Sequence, residues 1–164
     1  SPMIRPLTGG VPWHVAKAIA KTSCKVGREA NYVVGQKPYK EPAKFEDSCS
    51  LSHARFEYYE EKRTKESRYH LNAPSYGWLG NAMRLNRYLE KTGWKKIAAP
   101  VMLFSAGKDN LVSNAEQERF VRKLNKNRPG SAELVKFPES KHEIFNAGND
   151  IAEEYWKKVF SFFE

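Results

Sequence analysis

The chain has 164 residues, 40% of them hydrophobic, a length and composition that fit one folded domain with a real core. Lys and Arg number 28 against 19 Asp and Glu, a net charge of +9 that favours anionic partners such as phospholipid headgroups, nucleic acid or acidic proteins. No run approaches the ~20 apolar residues of a membrane span, no charged-then-apolar leader opens the chain, and two cysteines are too few for a disulfide framework or a zinc site.

Three zones follow one another. Residues 1–10 are a loop carrying Pro2, Pro6, Gly9 and Gly10. Residues 11–95 are helical and mixed in character. Here Pro12 predicts the opening of a short helix over 13–20, because proline suits a first helical turn. Gly27, Gly35, Pro38 and Pro42 make 27–50 an irregular loop. A charged, tyrosine-rich helix is predicted over 52–67, and Asn72-Ala73-Pro74-Ser75 breaks it. Tyr76 to Lys91 reads as another helix, with Trp78, Leu79, Ala82, Leu85 and Leu89 as its apolar stripe. The bases of this zone alternate with acids, as in Glu60-Glu61-Lys62-Arg63-Thr64-Lys65-Glu66, which describes a solvated helix face better than a binding stripe. Cys24 and Cys49 read as free thiols of a reducing compartment, with a single bridge as the alternative.

Residues 96–164 alternate strand and helix. Val101 to Phe104, after Pro100, is a continuous apolar run suited to a strand buried on both faces of a parallel sheet. Ser113-x-x-Glu116 is a capping box, and Phe120, Val121 and Leu124 give the next helix its buried face. Asn125 to Gly130 stops that helix, and 132–137 is a second strand. Asp150-x-x-Glu153 is a second capping box, opening a terminal helix with Ile151, Tyr155, Val159 and Phe162 on one face. Strand, helix, strand, helix with short connections predicts parallel strands covered by helices.

The chemistry gathers where those strands end. Val101-Met102-Leu103-Phe104-Ser105-Ala106-Gly107-Lys108-Asp109 runs from a strand into a glycine turn carrying an acid. Leu134-Val135-Lys136-Phe137-Pro138-Glu139-Ser140-Lys141-His142-Glu143 runs from the next strand into a histidine. Parallel sheets collect their sites outside the C-terminal strand ends, and neighbouring strands lie about 4.8 Å apart. Asp109 and His142 are therefore expected within hydrogen-bond reach. Glu139 and Glu143 are rival acids, and Asp109 is preferred because it reaches the ring from another strand. An acid and then a histidine is the closing order of a Ser…Asp…His triad, yet no Gly-x-Ser-x-Gly elbow occurs in the sequence.

These residues resemble the bacterial lysophospholipase and monoacylglycerol lipase branch of the α/β-hydrolases. The matching segments are Pro100 to Asn114 and Phe137 to Ile144, with Ser52-His53-Ala54-Arg55-Phe56 and Pro74-Ser75-Tyr76-Gly77-Trp78-Leu79 resembling that branch's cap, and Ser1-Pro2-Met3 resembling the end of the strand before it. The resemblance implies an α/β fold, the C-terminal part of an α/β-hydrolase, with a helical cap over 11–95 and the end of the core over 96–164. It implies a serine hydrolase that cleaves lipid carboxylic esters, with His142 as base and then acid and Asp109 bracing it. The nucleophile and oxyanion loop are expected on roughly 120–180 residues before Ser1. Ser1, Ser105 and Ser140 lack the elbow. No metal and no organic cofactor are implied.

The remaining expectations concern partners. Tyr76 and Trp78 are candidates to line an acyl channel. A basic, aromatic cap suits a lipid–water interface, so the expected partners are a lipid ester, an anionic membrane surface, and either the missing N-terminal half or a second copy pairing on an exposed sheet edge. The expected location is cytoplasmic, with a peripheral place at the inner membrane. Two other readings are a non-catalytic hydrolase-like scaffold and a basic nucleic-acid-binding module, for which no recognised motif speaks. No nucleic-acid partner is expected.

Overall fold

A computed structural model describes residues 1–40 and 42–164; position 41 of the predicted 27–50 loop lies outside the described residues. The elements in chain order are α1 (Trp13–Lys25), α2 (His53–Lys65), α3 (Tyr76–Lys91), β1 (Val101–Ala106), α4 (Asn114–Asn127), β2 (Ala132–Phe137) and α5 (Asn149–Phe163), with single 3-10 turns between several of them.

β1 and β2 pair in parallel from Val101 opposite Ala132 to Ala106 opposite Phe137. Their side chains alternate between the two faces, as the two-residue pleat requires. On one face Leu103 and Ala132 pack with Phe120, Val121 and Leu124 of α4 and with Ile4. On the other, Ala106, Val135 and Phe137 pack with Ile144, and Phe104 stacks obliquely on Tyr155 of α5, ring centroids 4.7 Å apart. The pair is thus covered by a helix on each face, which is why β1 opens as an apolar run, while β2 keeps Glu133 and Lys136 exposed. Among the described residues β1 has no partner on its other edge. That edge borders a groove of about 390 Å³, lined among others by Val101, Met102, Phe104 and Phe120.

Both thiols are free. α1 and α3 form a second core, in which Ala20, Tyr76 and Met83 are buried. α1 runs five residues past the predicted end because tertiary packing carries it on: Cys24 lies against α3, and its Sγ donates to the Tyr76 carbonyl at 3.5 Å. The predicted stripe on α3 needs correction. Ala82 is buried and Leu79 and Leu89 pack inward, but Trp78 and Leu85 are exposed. The side turned to α1 carries Tyr76, Leu79 and Met83, spaced i, i+3, i+7. Trp78 and Leu85 form a parallel row one position back, which α1 does not cover.

Both capping boxes are also revised. Ser113 Oγ accepts from the Glu116 amide at 3.4 Å, but the reciprocal arm is absent. Glu116 turns instead to Arg5 at 2.9 Å and to Arg119, while the Ser113 amide donates to the Arg5 carbonyl. α5 starts one residue before its predicted box. Its N-cap is Gly148, whose carbonyl accepts from Ala152, and Asp150 sits inside the first turn, where its charge still complements the helix N-terminus.

Candidate functional site

The site forms where the turns after β1 and β2 touch. The Gly107 amide donates to the Phe137 carbonyl at 2.8 Å, and the Lys108 amide donates to the Ser140 carbonyl at 2.9 Å. Each turn is therefore folded against the other. Gly107 allows the approach: a Cβ built there would stand 2.6 Å from Pro138 Cα and 2.7 Å from its carbonyl carbon, and closer still to its oxygen. The backbone at Gly107 does not have positive φ, so the requirement is space.

Asp109 is held by its two oxygens separately. Oδ1 accepts from the amides of Leu111 at 2.9 Å and Val112 at 3.1 Å, a local turn that fixes the carboxylate plane. Oδ2 is left facing His142 Nδ1 at 2.8 Å. The Asp109 side chain is 0% exposed and that of His142 24%. Burial works against the Asp109 charge, but the Leu111 amide, His142 and the Val112 amide outweigh it and hold the carboxyl below its usual range. An ionised Asp109 makes Nδ1 the protonated nitrogen, which leaves Nε2 as the basic one. An ionised, backbone-clamped acid bracing an imidazole in one tautomer is the arrangement a general base requires.

The rival acids are engaged elsewhere. Glu139 pairs with Lys108 at 2.6 Å in solvent, and Glu143 accepts from Asn146 Nδ2 at 2.7 Å. The serines weighed from the sequence are engaged otherwise: Ser1 Oγ accepts from the Ala106 amide at 3.0 Å, Ser105 and Ser140 are buried, and the Ser140 hydroxyl donates to the Lys141 carbonyl. Nor does Cys49. Burial and the charges of Glu143 and Asp109 push its thiol up, away from the reactive thiolate. Among the described residues no group of three His, Cys, Asp or Glu is placed to hold a metal.

The structure brings Asp109 and His142 together and places Tyr76 and Trp78 in other surroundings. Tyr76 lies in the α1–α3 core, its hydroxyl accepting from the Val34 amide at 3.3 Å. Trp78 is 53% exposed. Of the remaining histidines, His70 stacks on Tyr39 with centroids 4.0 Å apart, and His53 pairs with Glu57 in solvent. Sequence reasoning passed over the role of 46–55, which lies against the loop of His142. The Ser52 to Phe56 motif was the available signal: Arg55 donates to the Ala147 carbonyl and, at 2.8 Å, to Asn149 Oδ1.

A parallel strand pair delivering an acid and a histidine from adjacent C-terminal ends, with helices on both faces, defines the chain as an α/β-hydrolase. It belongs to the family described as serine aminopeptidase, S33, whose match runs over residues 2–149. Its fold is similar to that of a crystallised soluble variant of monoglyceride lipase from Saccharomyces cerevisiae in complex with a substrate analog. The TM-score is 0.64 at 15% identity, over 96% of this chain and 51% of the lipase chain, so the chain spans about half the length of that enzyme. No curated protein matches the sequence. No helix among the described residues is long and apolar enough to cross a membrane.

Proposed function

We propose that this chain supplies the acid and base of a Ser-His-Asp triad in a carboxylic ester hydrolase acting on monoacylglycerols or lysophospholipids, of the bacterial lysophospholipase and monoacylglycerol lipase branch. The observation that carries the reading is the 2.8 Å contact between His142 Nδ1 and the buried Asp109. His142 Nε2 takes the proton of the attacking serine and returns it to the leaving alcohol, while Asp109 holds the ring and stabilises its charged form. The nucleophile and its elbow belong to polypeptide outside these 164 residues, which contain no Gly-x-Ser-x-Gly.

The substrate class draws support from the helical region, read as the cap. Trp78, Leu85 and Tyr88 of α3 and Val15 and Ile19 of α1 are exposed apolar groups among Lys17, Lys21, Arg84 and Arg87. Exposed rings and aliphatics beside lysine and arginine suit an anionic lipid surface, with Trp78 meeting acyl chains and Tyr76 holding the face that presents it. The structural likeness to a monoglyceride lipase points the same way.

The test is hydrolysis of a monoacylglycerol and a p-nitrophenyl acyl ester by the protein carrying these residues together with its elbow. His142→Ala should lower kcat/KM by about 10⁴-fold or more. Wild-type turnover by that variant overturns the triad. Preference for amino-acid p-nitroanilides over both esters would move the substrate class to peptides. Residues 1–164 alone should not turn over the ester, and turnover by them would overturn the placement of the nucleophile.

A further inference from the structure

We propose that Ser50, Arg55 and Lys141 are positioning residues, through which the segment 46–55 fixes the loop bearing His142 against Asp109. The inference rests on the proposed role of that dyad and adds what aligns it.

The loop from Ser140 to Gly148 has little regular structure of its own. Outside the segment 46–55 it is held by a single 3-10 turn at Ile144–Asn146, the burial of Ile144 in the sheet core, the Lys108 amide on the Ser140 carbonyl, Asn146 Nδ2 on Glu143 and the Ser1 nitrogen on the His142 carbonyl at 3.2 Å. Its polar groups are satisfied mainly by a segment some ninety residues earlier. On one side of His142, Lys141 Nζ donates to the carbonyls of Ser48 at 2.9 Å and Glu46 at 3.4 Å. On the other side, the Glu143 amide donates to the Cys49 carbonyl at 3.3 Å. Three residues on, the Asn146 carbonyl accepts from Ser50 Oγ at 2.7 Å and from the amides of Leu51 and Ser52. Arg55 closes the sequence at Ala147 and Asn149, where α5 begins. Ser50 is 2% exposed, so its bond is made in the interior, where an unmade partner is costly.

The ties fall on both sides of His142 and none falls on its ring. They set where the backbone of the loop lies, and the ring reaches Asp109 from that backbone. The same segment opens α2, whose first turn is capped by Ser52 Oγ accepting from Arg55. Lifting α2 would pull the His142 loop with it. Alignment of the dyad and seating of α2 are therefore one event, and any opening of the helical region that preserves the dyad must hinge elsewhere than 46–55.

The experiment reads the imidazole itself, by proton and nitrogen NMR of the protein containing residues 1–164. Wild type should show a low-field Nδ1 proton from His142, identified by its loss in His142→Gln. Arg55→Gln and Lys141→Met should broaden it and speed its exchange about tenfold or more, as for a contact that opens locally. His14 and His70 signals and the far-UV spectrum should stay unchanged, and Arg55→Lys should restore part of the protection. Arg68→Gln, which removes only an exposed pair with Glu66, should leave the signal alone. Folded Arg55→Gln and Lys141→Met proteins with wild-type exchange overturn the inference. If Arg55→Gln does not fold, Ser50→Ala and Lys141→Met decide on the same terms. Absence of the low-field proton in wild type overturns the dyad, and the proposed function with it.

Discussion

Replacing Gly107 with alanine tests whether the site depends on the close approach of two turns. An added Cβ would stand 2.6 Å from Pro138 Cα, where ordinary contact begins at 3.4 Å, so the turns must part by at least 3.4 − 2.6 = 0.8 Å. The obstacle is backbone, and no rotamer relieves it. Carried to the dyad, 0.8 Å stretches the 2.8 Å contact to about 3.6 Å, beyond hydrogen-bond reach. Losing a hydrogen bond to a charged group costs about 1.5–3 kcal/mol, and overpacking adds about 1–3 kcal/mol. With partial relaxation, Gly107→Ala should lose about 2–4 kcal/mol, seen as a fall in Tm of roughly 5–15 °C. Gly80→Ala is the matched control. Its Cβ would meet only Cys24 Sγ at 3.4 Å, inside a helix, where alanine is favoured by up to about 1 kcal/mol. Thermal unfolding followed by circular dichroism compares the two. A Gly107→Ala protein as stable as wild type, with Asp109 still titrating below its usual range, would refute the mutual support of the two turns.

Asp109, whose pKa is lowered in the folded protein, contributes stability that is present above its unfolded value near 3.8 and is lost as pH falls through the folded value. Urea midpoints between pH 6 and pH 2 should fall less steeply for Asp109→Asn than for wild type, and parallel curves would contradict this. Leu124→Ala, at a 4% exposed position in the α4 face, should cost about 2–5 kcal/mol in urea unfolding, and less than 1 would mean the face is not packed. Ser75→Ala removes the hydroxyl that accepts from the Trp78 amide at 3.2 Å and should cost about 1 kcal/mol, measured the same way. Glu60→Gln leaves Arg63 buried without the charge now 3.5 Å away and should cost about 3 kcal/mol, whereas Glu61→Gln, at an exposed pair, should leave the urea midpoint where it is.

The strands were legible because their patterns are local. Val101 to Phe104 is an apolar run after Pro100 and before Gly107, 132–137 follows Gly130 with Ala132, Leu134, Val135 and Phe137 turned inward, and both faces of the pair are in fact covered. Tyr76–Lys91 was legible at both ends for the same reason, with Ser75 capping it and Pro74 before it. The faces of α3 were not. Trp78, Leu85, Leu79 and Met83 are all apolar, and periodicity cannot say which of two adjacent rows a neighbour will cover. Only the position of α1 decides that, and α1 is itself prolonged by the contact. The capping boxes failed in a related way. A serine three residues before a glutamate specifies the first arm of the box, but Arg5 and Arg119 offered Glu116 a charged partner, which is stronger than one more backbone amide.

The same division runs through the site. Asp109 is oriented by Leu111 and Val112, two and three residues away, so a glycine turn followed by an acid already describes its geometry. His142 is different. Its ring is aimed by a loop whose polar groups find partners at Glu46, Ser48, Cys49 and Ser50, and nothing in the residues around His142 specifies those partners. Hydrogen-bond satisfaction explains why that long-range support exists. A loop folded over a sheet edge has carbonyls and amides that no strand can pair, and leaving them unmade in the interior costs more than ordering a segment to meet them. The acid could evolve its position within one turn. The base needed a second part of the chain to hold it, which makes the segment before α2 as much a part of the site as the strand that carries the histidine.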